Sequence, residues 1–198
     1  MNTSSLTLFL FFSVFSLPAQ ELQYDILLLG KKIGSVYVKR TPQPDGSVSY
    51  RVQSNSFAKV LFTERQSEMV QESVYAQGKL ISSFTQNKVD GVVEEVAVTK
   101  TKTHYLVQLK KTKEQILVNE NILHSAVWMY FHEPVNVRKV FSERLGQFYP
   151  LMKTGENQYS YTVRDGATNI VTYKDGYPEE IEIKKTLGSV WMRRVRNP

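Results

Sequence analysis

The sequence predicts a mainly β protein: a single curved antiparallel sheet of about ten strands, forming a barrel or half-barrel, with one main α-helix at about 122–132. Three observations predict it. From Glu21 onward apolar and polar side chains alternate with period two, broken by short turn clusters. Asp-Gly pairs at 90–91, 165–166 and 175–176 each stand between alternating segments, and both residue types tolerate the left-handed backbone of tight hairpins. A single stretch, Ile122 to Phe131, carries apolar residues at three-to-four spacing instead.

Taken in order, Tyr24 to Leu29 is apolar on both faces through Leu27, Leu28 and Leu29, so it belongs in the middle of the sheet. Gly30 and Gly34 bracket two lysines, and a phosphate-gripping loop at that spacing would need a helix after the glycines. A strand follows, Val36 to Thr41. The glycines therefore read as a hairpin turn, with Gly34 at a bulge or a close backbone approach. Pro42 to Gly46 is a turn by composition, and Ser47 to Ala58 alternates with Val48, Tyr50 and Val52 on one face. Further strands are expected at 69–77, 79–87, 92–102, 103–111 and 115–118, and late in the chain at 159–163, 170–174 and 181–184.

The expected helix has Asn119 or Asn121 to cap its start and Pro134 to end it. After it, Val137 to Phe148 fits either a helix, through Val137, Phe141 and Leu145, or two strands, Val140 to Ser142 and Gln147 to Tyr149, around a turn at Leu145-Gly146, and the strands are the preferred reading. One amphipathic helix suits the concave side of a curved sheet, and a sheet this wide must curl or stack to avoid long bare edges.

Residues 6–17 are almost wholly apolar and are followed by Pro18-Ala19-Gln20, the anatomy of a secretory signal peptide cut between Ala19 and Glu21. The run is shorter than the roughly 20 residues a membrane-spanning helix needs. The expected organisation is thus a signal peptide at 1–20 and a single barrel-like domain at 21–198, exported to the periplasm or beyond, with no stable membrane span after processing. The chain has no cysteine, which excludes disulfides, thiolate nucleophiles and an amino-terminal lipid anchor. Its core must hold it, and a mature chain of roughly 178 residues can bury about 70% of its unfolded surface.

The net charge of +6 lies wholly after residue 20. Lysines and arginines are scattered among acids, and an exported location removes nucleic acid as the usual partner of a basic protein. Lys184, Lys185, Arg193, Arg194 and Arg196 read as solvated strand faces. The three histidines, at 104, 124 and 132, form no metal motif, and the eight residues between His124 and His132 would put them about 12 Å apart along a helix, on either side of Trp128. No cofactor and no catalytic residue is expected. An enzyme would have to bring together side chains such as His132, Glu133, Glu143 and Arg144 in one cleft.

Eleven tyrosines, ten phenylalanines and two tryptophans are more suggestive. They could line a cavity for an apolar molecule, with Trp128, Tyr130 and Phe131 of the helix as ligand-binding residues, or simply fill a core.

The chain resembles a family of exported, uncharacterised β-rich proteins of Gram-negative bacteria, a domain of unknown function. The resemblance is carried by Tyr24-Asp25 with Gly30 and Gly34, by Phe141-Ser142-Glu143-Arg144-Leu145-Gly146, by Asn169, Tyr173, Gly176 and Pro178, and by Leu187-Gly188 with Arg194-Val195. It implies a periplasmic or outer-surface location and a twisted sheet around a helix, loosely similar to lipoprotein-carrier half-barrels. It implies no activity and supplies no catalytic residues. Two functions follow as expectations: a periplasmic binding or carrier module for a lipid or other hydrophobic ligand, or a structural or protein-interaction module without a small-molecule ligand.

Overall fold

The expected alternation resolves into more strands than ten. Among the described residues there are fifteen: β1 (Gln20–Leu28), β2 (Lys31–Pro42), β3 (Val48–Val60), β4 (Thr63–Ala76), β5 (Lys79–Val89), β6 (Val92–Lys100), β7 (Tyr105–Leu109), β8 (Glu114–Val118), β9 (Lys139–Ser142), β10 (Gln147–Pro150), β11 (Met152–Gly155), β12 (Gln158–Thr162), β13 (Thr168–Lys174), β14 (Tyr177–Lys185) and β15 (Gly188–Arg194). The computed structural model describes residues 18–60, 63–186 and 188–196. Most of the expected signal peptide, residues 1–17, and Leu187 lie outside them.

Thirteen strands form one antiparallel sheet in the order β11-β12-β13-β14-β15-β1-β2-β3-β4-β5-β6-β7-β8, and β9 and β10 form a separate hairpin. Every neighbour in the large sheet is also a neighbour in sequence except β15 and β1, which bring the two ends of the chain together through pairs such as Tyr24 with Arg194 and Ile26 with Met192. The sheet is open, its edges β8 and β11 separated in sequence by residues 119–151.

The first hairpin has the form its glycines predict. Leu29 and Gly30 turn with positive φ, and the β1–β2 register slips at Ile26/Leu27, so that one extra residue is accommodated beside Gly34. Gly34 also faces β3 so closely that a Cβ would run into the Asn55 carbonyl and lie 2.7 Å from Ser56 Cα. Asp90-Gly91 and Asp175-Gly176 have positive φ at both residues, the mirror-image turn that matches strand twist.

Residues 119–138 are not the expected α-helix. Only Trp128–Tyr130 makes a single 3-10 turn, and no α-helix occurs among the described residues. The cause lies in the backbone hydrogen bonds. Ala126 N–H donates to the Phe141 carbonyl at 2.9 Å, Phe141 N–H donates to the His124 carbonyl at 3.0 Å, and Leu80 N–H donates to the Ile122 carbonyl at 2.9 Å. Strands have taken the groups a helix would have used. The segment is instead a plug, with Ile122, Ser125, Val127, Met129 and Phe131 buried in turn.

The sheet curls around this plug, because strands from both halves end on it. Tyr75 of β4 donates its hydroxyl to Ser125 Oγ at 2.6 Å, and Tyr105 of β7 accepts from Ile122 N–H at 3.4 Å. From the other half, Tyr173 of β13 donates to the Met129 carbonyl at 2.9 Å and Tyr159 of β12 to Glu133 Oε1 at 2.9 Å. Tyr24 of β1 and Tyr50 of β3 pack edgewise or tilted against Tyr130 and Phe131. Irregular backbone inside a core needs polar partners, and inward tyrosines supply several of them while filling space. Much of the aromatic content is therefore spent on seating the chain's own segment.

The outer face carries the interleaved charge. Arg51 pairs with Glu72 at 3.1 Å, Arg193 with Glu180 at 2.6 Å and Arg196 with Glu179 at 2.8 Å, all largely exposed.

Candidate functional site

The hairpin of β9 and β10 turns through Glu143-Arg144-Leu145-Gly146, as the sequence indicates. Gly146 has a φ of +67°, and its N–H donates to the Ser142 carbonyl at 2.8 Å. A side chain at 146 would collide with Val107 Cγ1, so the turn is pressed against β7 and only glycine fits. That seating carries Glu143 inward, where it is fully buried.

A buried carboxyl needs partners. Glu143 Oε1 accepts from Val127 N–H at a long 3.4 Å, while Oε2 has no partner. Burial raises its pKa to about 7, against the lowering influence of the Ser125 hydroxyl and nearby backbone amides. Ser125 already accepts from Tyr75, which leaves its own proton free to turn toward the carboxyl. Around neutral pH, then, Glu143 exists as a mixture of acid and carboxylate.

Glu143 lines a recess of about 120 Å³ together with Val52, Met69, Gln71, Val127, Ser142, Arg144 and Val163. Ala126, Tyr130, Tyr161 and Asn169 form its far wall, and the same four residues border a second chamber of about 90 Å³. The second one is apolar, completed by Met129, Val171, Pro178, Ile181, Ile183 and Met192. Tyr161 sits between the two. Burial and the neighbouring Glu143 charge raise its pKa, the Arg144 guanidinium lowers it, and the balance is about 12.

Polarity extends from the first chamber onto the sheet. Gln71 lies opposite Thr85, and Ser73 opposite Ser83, on the inward faces of β4 and β5. Gln71 Nε2 donates to Ser73 Oγ at 3.5 Å, while Ser83 Oγ and Thr85 Oγ1 are buried without partners. The concave interior thus has an apolar end toward β13–β15 and a polar end toward β4 and β5.

Of the three aromatic residues expected to bind a ligand, the structure places one at the chambers. Tyr130 lines both. Phe131 packs into the core against Tyr50, their rings 5.8 Å apart. Trp128 is half-buried between the two histidines, stacked on His132 at 4.4 Å and edgewise to His124 at 4.7 Å. The sequence places those imidazoles on either side of Trp128, and they flank it here although the helix is absent.

Of the four ionisable residues from which an enzyme could draw, two border one recess and two lie elsewhere. Glu143 and Arg144 border the chamber, whereas His132 donates through Nδ1 to the Trp128 carbonyl at 3.0 Å and Glu133 accepts from Tyr159. Among the described residues no group of three or more His, Asp or Glu side chains could hold a metal ion. Two larger recesses, about 450 and 540 Å³, are open furrows on the surface, bordered by Arg196 at one and by Asn55, Phe57 and Glu68 at the other.

Sequence reasoning named Glu143 only among residues an enzyme could use and not as a ligand-binding residue, because Ser-Glu-Arg-Leu-Gly reads as an exposed polar turn. The signal was present in Gly146, whose positive φ ends the turn. The contact with β7 that forces Glu143 inward is tertiary.

A solved structure shares this architecture: a beta-barrel-like protein of the domain of unknown function DUF1849 from Brucella abortus aligns over 93% of this chain and 98% of its own, with a TM-score of 0.53 and 11% identity. At that identity the likeness shows the fold alone. No curated protein matches the sequence. The profile described as "Domain of unknown function (DUF6134)" matches residues 24–195.

Proposed function

The chain belongs to the DUF6134 family, a domain of unknown function, and from that premise we propose that it is an exported binding module whose ligand is a small amphipathic molecule held in the paired chambers under the plug. The observation that carries this reading is the buried, unpartnered Oε2 of Glu143, a residue that lines a recess with a polar wall and an apolar neighbour. An unsatisfied buried acceptor costs about 1–3 kcal/mol, which a bound donor would recover.

Size limits the ligand. Chambers of about 90 and 120 Å³ are smaller than the roughly 300 Å³ or more typical of drug-sized sites, and the plug takes the space a lipid cargo would need. The ligand is therefore a molecule of few heavy atoms, with an apolar part toward Met129, Ile181 and Met192 and a polar part toward Glu143. Tyr130 contacts both parts.

Native mass spectrometry of the mature protein purified from its own periplasm, followed by extraction, tests the reading. A stoichiometric small molecule, released on unfolding and absent from a Glu143→Ala and Tyr130→Ala double variant, is the expected result. An empty protein that also takes up nothing from a periplasmic extract would overturn it.

A second reading rests on the sheet edge. Leu117 of β8 is 59% exposed and Ile116, on the opposite face of the same strand, 37%. An edge with apolar residues on both faces suits pairing with another protein's strand.

A further inference from the structure

We propose that the ligand of the paired chambers is a small zwitterion with an aliphatic substituent, its ammonium group at Glu143, its carboxylate at Arg144 and its carbon chain in the apolar chamber. The inference rests on the binding reading above and names the chemical class it leaves open.

Three observations lead to it. Glu143 and Arg144 are adjacent on one turn, and both border the same chamber. Glu143 has one buried oxygen without a partner, while Arg144 takes part in none of the ion pairs found among the described residues. Among the residues bordering the chamber, Arg144 is the one base and Glu143 the one acid. The chamber thus presents one acid and one base, and neither has an ion-pair partner among the described residues.

A ligand with a single charge would satisfy one of them and leave the other facing it with the wrong sign. A cation would meet Arg144; an anion would meet Glu143 and favour its protonated form. A molecule carrying both charges pairs with each, its ammonium favouring the ionised form of Glu143. Tyr130 and Tyr161 add aromatic walls, which attract an ammonium group through the ring quadrupole. Beyond them the second chamber offers only aliphatic side chains, Met129 and Met192 included, besides Pro178 and the shared wall. It suits a short branched hydrocarbon and no further polar group.

Three probes separate the possibilities: L-leucine, isoamylamine, which is leucine without its carboxylate, and isocaproate, which is leucine without its amine. Calorimetric titration of the mature protein at pH 7 is expected to show saturable binding of leucine and at least about tenfold weaker binding of each single-charge analogue, the loss of one charge-assisted pair. Glu143→Gln is expected to weaken leucine and isoamylamine but not isocaproate. Arg144→Gln should weaken leucine and isocaproate but not isoamylamine. A purely structural role for either residue would lower all three together. Binding of isoamylamine or isocaproate as tight as that of leucine overturns the zwitterion assignment while leaving the small-ligand site in place. Failure of all three probes, with a molecule still released from the native protein, overturns it too. If nothing is released either, the binding reading itself falls.

Discussion

The Tyr75 hydroxyl donates to Ser125 Oγ at 2.6 Å, with both groups buried, and so fastens the plug to β4 across fifty residues of sequence. Removing either partner strands the other in a site with no water to replace it. Tyr75→Phe and Ser125→Ala are each expected to lower stability by about 1–2 kcal/mol in urea denaturation. Because both remove the same bond, the double variant should cost clearly less than the sum. Additive losses would mean the two hydroxyls act independently.

Glu143 makes stability depend on pH in a direction unusual for a carboxyl. Its folded pKa of about 7 lies above the unfolded value near 4.5, so the folded state holds its proton more tightly. The contribution is most favourable below the unfolded value and is lost as pH rises through about 7, by on the order of 3 kcal/mol in full. The half-buried histidines act the other way. Burial lowers both His124 and His132, and stability from them is lost as pH falls through the ordinary histidine range. The comparison that isolates Glu143 is therefore wild type against Glu143→Gln at pH 5 and pH 8. The variant should gain on the wild type at the higher pH, and a constant difference would show that Glu143 does not titrate in the folded state between those values.

Gly34 tests the close approach of β2 and β3. Alanine there drives a methyl into the Asn55 carbonyl and the Ser56 backbone, neither of which can swing aside, and the expected cost is about 3 kcal/mol or loss of folding. Gly155→Ala is the control. Its added methyl meets Gln158 Cβ at an ordinary 3.5 Å, so a change within about 0.5 kcal/mol is expected by thermal unfolding.

The stack of Trp128 on His132 gives an optical readout, since a protonated imidazole quenches an indole it touches. With Trp191 replaced by Phe to remove the second tryptophan, emission from Trp128 should fall as pH is lowered, with a midpoint below the ordinary histidine value because burial disfavours the charged ring. His132→Asn should abolish most of that transition. A titration unchanged by this substitution would assign the effect to His124, which meets the same ring edgewise.

Turn chemistry and alternation were enough to read the sheet, because each hairpin is decided within a dozen residues. Asp90-Gly91, Asp175-Gly176 and Gly34 act locally, and the structure has them as the sequence suggests. The helix failed for the opposite reason. Apolar spacing at 122–131 reports only that side chains are to be buried, and the hydrogen bonds that β5 and β9 impose on Ile122, His124 and Ala126 come from 40 residues upstream and 15 or more downstream. β9, β10 and β12 were each expected as strands, whereas β11, four residues long and exposed throughout, carries no alternation to read. At the site, Tyr130 was legible as an aromatic residue of the plug. Glu143 was not, since an acid in a turn has the same local sequence whether it faces solvent or a chamber.

The pairing of β1 with β15 has a consequence for how the molecule comes into being. Of the described strands, synthesis delivers β1 first and its mate β15 last, so until β15 emerges one flank of β1 lacks the partner it has in the fold. A nascent strand in that state is open to annealing with a neighbouring polypeptide. The exposure ends only once Gly188–Arg194 has emerged and paired, and a chain truncated before Gly188 would carry it permanently.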